Sequence, residues 1–241
     1  MSTGDRPSGQ RPDHYDEVAE RYAAQNDTGL FNAWYARPAI LDLAGDVGGR
    51  RVLDAGCGHG PLMEALAARG ATVAGFDASP AMVDLARQRL GPGPDLRVAD
   101  LARPLPYPDA AFDDVVCSLV LHYLEDWSGP LAELRRVLRP GGRVLLCVNH
   151  PMIRPIVAPG EDYFAVAPYT EDYDFDGVSV DLTFWHRPLH AMTDAFTEAG
   201  LRVSVLSEPP FSPKTPRELL PAELGDRSAF ICFLFFVLEA A

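Results

Sequence analysis

The chain has 241 residues, 47% of them apolar and 23% charged, and a formal net charge of −13. That length suits one large α/β domain with a buried core, and the composition is that of a folded chain rather than a disordered one. The acidic balance speaks against nucleic acid as a partner, since polyphosphate binding needs clustered Lys and Arg; no apolar run approaches the roughly 18 residues of a membrane-spanning helix, so no membrane partner is expected either.

Residues 1–12 are polar and lack the apolar core of a secretion signal, so a short disordered tail and a cytoplasmic chain are expected. The four cysteines, Cys57, Cys117, Cys147 and Cys232, sit in or beside apolar runs without CxxC spacing, which predicts reduced core thiols. Residues 13–48 predict N-terminal helices. Tyr15–Ala24 places Tyr15, Val18 and Tyr22 on one helical face, and a second helical stretch covers Phe31–Leu43.

From there the pattern alternates. Strands are predicted at Arg51–Asp54, Thr72–Phe76, Leu96–Ala99, Asp113–Ser118 and Arg143–Asn149. Helices are predicted between them at Gly60–Arg69, Ser79–Leu90 (Ser79 as cap, Pro80 first) and Ser128–Leu138. Strand–helix alternation with run-like apolar strands predicts a Rossmann-like, mostly parallel sheet with helices on both faces. Pro151–Trp185 shows no clear helix. Pro188–Ala199 reads as a helix, Arg202–Leu206 as a strand and Ser228–Leu238 as a long apolar strand.

The first strand runs into Gly56-Cys57-Gly58-His59-Gly60. Glycines there let the backbone turn and approach a ligand closely, and the following helix offers free N–H groups. In open parallel sheets the ligand crevice lies beyond the carboxyl ends of the strands. A nucleotide-like ligand follows, though not which one. The spacing is GxGxG, not the dinucleotide GxGxxG. Asp77, ending the second strand, can take the hydroxyls of a ribose in either ligand. Asp100, ending the third, can accept from an adenine amino group, with the Leu101 N–H on the ring.

The segments "VLDAGCGHG" (52–60), "VAGFDASPAM" (73–82), "RVADL" (97–101), "FDDVVCSLVLHYLED" (112–126) and "LAELRRVLRPGGR" (131–143), in this order, resemble the class I S-adenosyl-methionine-dependent methyltransferases. The resemblance is to the small-molecule branch that includes the ubiquinone and menaquinone biosynthesis enzymes. It covers Val52–Asn149 and implies a seven-stranded sheet with its last strand antiparallel. It implies that Asp54, Gly56, Cys57, Gly58 and Gly60 surround the methionine part of S-adenosyl-L-methionine, that Asp77 takes the ribose, and that Ala78 and Met82 flank the adenine read by Asp100 and Leu101. Ser118 and Leu119 would face the methionine end. N-terminal helices folded over the cofactor would bring Tyr15 and Tyr22 close, with Arg37 at the cofactor carboxylate.

What is then expected is methyl transfer to a C, N or O nucleophile on a small molecule, with no metal. The alternative is a catalytically silent S-adenosyl-methionine-binding protein of regulation or assembly. On the acceptor side Tyr15, His122 and His150 are the candidates, either histidine as a general base. His186 and His190 are four apart but flank Pro188 and lack an accompanying acid, which disfavours zinc. Residues 150–186 hold seven acids and seven aromatics, with Arg154 the one cation before His186, and are expected to form a lid whose rings shelter an apolar or aromatic acceptor.

Overall fold

The computed structural model describes residues 13–240, so the expected tail lies outside the described residues. Its centre is a seven-stranded sheet built from β1 (Arg51–Ala55), β2 (Thr72–Asp77), β3 (Asp95–Val98), β4 (Phe112–Ser118), β5 (Leu138–Asn149), β8 (Leu201–Ser207) and β9 (Phe233–Ala240). The order is β3-β2-β1-β4-β5-β9-β8. Neighbours from β3 through β5 are parallel, while β9 runs antiparallel between β5 and β8. The expected Rossmann-like sheet with an antiparallel last strand is what the chain forms.

Both faces are covered because both carry apolar side chains. Leu53, Val115 and Phe236 pack on one side with Leu131, Leu134 and Phe196 from α6 (Ser128–Val137) and α8 (Leu189–Glu198). Val52, Val116 and Phe235 pack on the other with Ile40, Met63, Leu66 and Val83. Those four come from α3 (Arg37–Ala44), α4 (Pro61–Ala68) and α5 (Pro80–Leu90). Proline opens α4 and α5, where a missing N–H costs nothing. Ser79 caps α5, its Oγ accepting from the Met82 N–H at 3.1 Å.

At the amino end of the sheet, Asp114 is fully buried and held by Arg50 (2.5 Å) and Arg143 (2.8 Å). This cluster ties β4 to the segment before β1 and to β5. A carboxylate buried there without its arginines would be strongly destabilising.

Four segments depart from expectation. The strand expected from Arg143 starts five residues earlier, at Leu138, where Phe112 of β4 pairs with it. The predicted 31–43 helix begins as a π-helical turn, Leu30–Ala36, before α3 continues it. The last strand starts at Phe233, five residues later than its apolar run suggests. The stretch 151–185 is not irregular. It holds a short helix, α7 (Ile153–Val157), and a β-hairpin of β6 (Ala167–Phe175) and β7 (Val178–His186). The hairpin turns at Asp176-Gly177, both with positive φ (52° and 81°), the geometry that Asp-Gly favours between two strands.

The helix α2 (Ala19–Thr28) lies between this hairpin and the glycine loop, meeting β6 through Gln25 and His59 through Asp27, while α1 (Asp13–Asp16) precedes it and packs on α5. Val18, Phe175, Leu182 and Phe184 form a buried cluster with Tyr15, Tyr22, Tyr123 and Tyr169 against it. Asp16 accepts hydrogen bonds from the Ser79 hydroxyl and the Ala81 N–H, joining α1 to the start of α5.

Candidate functional site

A cavity of about 220 Å³ spans the carboxyl ends of β3, β2, β1 and β4. The strand order reverses between β1 and β4, which opens the crevice there. The glycine loop forms its floor. The N–H groups of Gly56 and Cys57 both donate to the Phe76 carbonyl at 2.9 Å, pinning the loop to β2. Gly56 has φ of 78°, and a Cβ added to it would lie 2.4 Å from Val120 Cγ2. Only glycine fits. Gly58 also has positive φ (53°), but a Cβ there would meet open space, so its face is free for a ligand. Gly60 does not line the cavity; it lets α4 approach α5, with Ala86 3.3 Å from an added Cβ.

Asp54, at the end of β1, is 3% exposed and its Oδ2 has no hydrogen-bond partner. Burial first, and then the neighbouring Asp77, push its carboxyl up to about 7. Asp77 is held rigidly: its Oδ2 accepts from the Gly58 N–H and its Oδ1 from the Ser79 N–H, each at 2.9 Å. Burial also raises Asp77, against those backbone donors. Asp100 is exposed beside the buried Leu101, its Oδ1 accepting from the Ala102 N–H at 2.9 Å. Burial raises the Cys57 thiol well above its ordinary value, which keeps it protonated.

Just past β4, Leu119 takes a positive φ (60°), unusual for a branched side chain, with its N–H donating to the Cys147 carbonyl at 2.8 Å. Ser118 and Leu119 both line the cavity, as do Ala78, Met82 and Leu101. The cover contributes Tyr15, Tyr22 and Arg37. Arg37 Nη2 donates to Asn26 Oδ1 at 2.9 Å, while Asp27 receives His59 Nε2 (2.9 Å) and Arg89. His59 thus links the glycine loop to α2. Burial lowers its basicity in spite of Asp27.

The acceptor-side histidines lie elsewhere. His122 and His150 line a separate small pocket with His186, Arg154 and Arg187. His122 is buried and its Nδ1 accepts from the Asn149 N–H at 3.2 Å. Burial drives it down to about 3. His150 accepts from the Met152 N–H at Nδ1 (3.1 Å) and meets Glu208 at Nε2 (2.7 Å). Facing a pocket apart from the cavity, neither suits the role of general base expected of them. His186 Nε2 donates to the Tyr163 carbonyl at 2.8 Å, and His190 is exposed. The rings expected to line a lid do not face the cavity either. Phe175 packs edge-on to Tyr22 at 5.6 Å, and Phe184 stacks on Tyr123 at 5.0 Å, both behind the cavity wall.

Several lining residues were missed from sequence, among them Asn26, Asn32, Val120, Tyr123 and Leu124. Asn26 was within reach, being one turn after Tyr22 on the same helical face. Tyr123 follows β4 by a short 3₁₀ turn, Leu121–Tyr123, whose direction the sequence does not announce.

Comparison with known proteins agrees with this geometry. Residues 53–146 match the methyltransferase domain family. A demethylmenaquinone methyltransferase of Clavibacter sepedonicus is 39% identical over 163 residues, 64% of each chain. A malonyl-[acyl-carrier protein] O-methyltransferase of Serratia marcescens is 41% identical over 106 residues, 44% of this chain and 41% of that one. The alignments with four demethylmenaquinone methyltransferases span between 51% and 64% of those relatives' own length. The crystal structure of an S-adenosylmethionine-dependent methyltransferase from Mesorhizobium loti superposes with a TM-score of 0.63 at 25% identity, covering 84% of this chain and 96% of that one. Over residues 53–146 the chain is similar to the methyltransferase domain family, and it resembles the class I S-adenosyl-methionine-dependent methyltransferases, those of quinone biosynthesis among them.

Proposed function

We propose that this chain binds S-adenosyl-L-methionine and transfers its methyl group to a small-molecule acceptor. The observation that carries the reading is Asp54. A buried carboxylate oxygen without a donor is costly, and an amino-acid ammonium at the glycine loop supplies the missing donor. The remaining residues fit the same ligand. Asp77, fixed by two backbone N–H groups, keeps lone pairs for two ribose hydroxyls. Ala78 and Met82 would flank the adenine, and Asp100 with the Leu101 N–H would read its edge. Arg37, beside Tyr22, would meet the carboxylate, and Ser118 and Leu119 the methionine end.

When bound, the cofactor supplies an electrophilic methyl on a positively charged sulfur. The chain's own part is then alignment and exclusion of water. Tyr15, Tyr22 and the covering helices close the cavity on the side away from the sheet. The strand order puts the β4 tip, with Ser118 and Tyr123, at the end opposite Asp100, so the acceptor enters there. We read α1, α2 and the β6–β7 hairpin as one enclosing unit within a single domain. The net charge of −13 makes a small molecule the fitting partner, not nucleic acid. Four unpaired cysteines suit a reducing compartment, hence the cytoplasm. A crystal grown with S-adenosyl-homocysteine tests the reading. The ammonium is expected within hydrogen-bonding distance of Asp54 and the adenine amino group at Asp100; an adenine elsewhere contradicts it.

A further inference from the structure

The β4 end of the cavity offers, among the described residues, no side chain to take a proton. Among the described residues, the acids and imidazole that line the cavity are all engaged or distant. Asp77 is held by the Gly58 and Ser79 N–H groups, Asp100 lies at the β3 tip, and His59 is bound to Asp27. Asp54 is reserved for the ammonium in the reading above. His122 and His150 line the other pocket.

What the β4 end does present is a pair of hydroxyls. Tyr15 Oη and Tyr123 Oη are 2.6 Å apart, one from the cover and one from the turn after β4. Their rings are fixed from behind, Tyr123 by stacking on Phe184 at 5.0 Å and Tyr15 edge-on to Tyr22 at 5.0 Å. Two hydroxyls carry two protons. One lies between the oxygens, and the other remains to donate onward. Burial raises both phenols far above their ordinary value, so they stay protonated and act as donors, not bases. A pre-positioned, buried O–H stabilises a negative oxygen strongly.

We propose that the Tyr15–Tyr123 hydroxyl pair is an oxyanion-recognising subsite, and that the acceptor is an oxygen acid of the phenol, enol or carboxylate class that arrives ionised. This rests on the methyl-transfer reading above. The acceptor's proton has gone to water before transfer. Its lone pair, on the oxygen or on the carbon conjugated with it, forms the bond to the methyl carbon while the carbon–sulfur bond breaks and leaves its electron pair on sulfur. Where carbon is methylated, the hydrogen it carried then leaves to water as a proton. Alcohols and ammonium groups, which must lose a proton to the enzyme first, are poor acceptors.

The test is direct. The whole chain, saturated with S-adenosyl-homocysteine, is titrated with 4-nitrophenol about one pH unit below the dye's own pKa. The bound dye is expected to show the yellow phenolate band. Tyr123→Phe should weaken phenolate binding roughly tenfold while the heat of S-adenosyl-homocysteine binding and the melting temperature hold, and 4-nitroanisole should not compete. Tyr15→Phe serves as the second variant if the first folds poorly. Dye bound as the colourless phenol, no dye binding, or phenolate bound equally well by both variants overturns the proposal. An absence of heat for S-adenosyl-homocysteine itself would instead mark failure of the cofactor reading.

Discussion

Asp54 and Gly56 stand two residues apart and fail in different ways when changed. In the ligand-free chain Asp54 is a carboxyl raised to about 7 by burial. For an acid whose folded value is raised, stability falls as pH rises from its unfolded value toward about 7 and then levels, by at most on the order of 4 kcal/mol. Asp54→Asn should therefore melt higher than the native chain near pH 8 without ligand. Ligand binding runs the other way. In the proposed site the ionised carboxylate receives the ammonium, so affinity for S-adenosyl-homocysteine should climb between about pH 6 and pH 8. In the Asp54→Asn variant calorimetry should find affinity at least about tenfold weaker and that climb gone; an unchanged pH slope would take Asp54 out of the site. Gly56→Ala is a backbone lesion. Positive φ alone costs an alanine about 1–2 kcal/mol, and Val120 stands 2.4 Å from the new Cβ. Its melting temperature should fall, and Val120→Ala in the same chain should restore only the steric part.

Among the elements, the cover and the hairpin depend on a few side-chain ties. Asp27 joins α2 to His59 of the glycine loop and to Arg89 of α5, with its side chain 34% exposed. Such a half-solvated tie is worth about 1 kcal/mol or less, too little to hold the fold but enough to bias local opening. Asp27→Ala should leave global melting nearly unchanged and speed amide exchange through 19–28 in the ligand-free chain, with S-adenosyl-homocysteine suppressing the difference. Equal exchange in both proteins would show that Asp27 holds nothing shut. The elements also divide what sequence could reveal. β1, β2, β4 and β5 were legible because strands covered on both faces are apolar at successive positions and are bounded by Gly, Pro or polar residues. The hairpin was not. Only Phe175 of β6 and Leu182, Phe184 and His186 of β7 are buried, so exposed acids mask the two-residue period and leave Asp176-Gly177 as the remaining signal. That Asp54, Asp77 and Asp100 line one cavity was legible because each sits at a strand tip. His122 and His150 could not be placed, because the path after a strand end decides which pocket a side chain enters. Tyr15 and Tyr123 meet across 108 residues, a contact no local pattern encodes.

Across the whole molecule, charge is sorted by the two ends of the sheet. At the amino end, Asp113 and Asp114 are matched by Arg139, Arg50 and Arg143, and the pairing holds β1, β4 and β5 in register. At the carboxyl end, Asp54, Asp77 and Asp100 line a cavity with no Arg bonded to any of them among the contacts described. One end stabilises the fold, and the other is the proposed ligand site. The second role is the central claim, and titration calorimetry tests it most directly. S-adenosyl-homocysteine should bind one per chain with measurable heat, and NAD should give none. No heat for S-adenosyl-homocysteine beside tight binding of NAD would contradict the account.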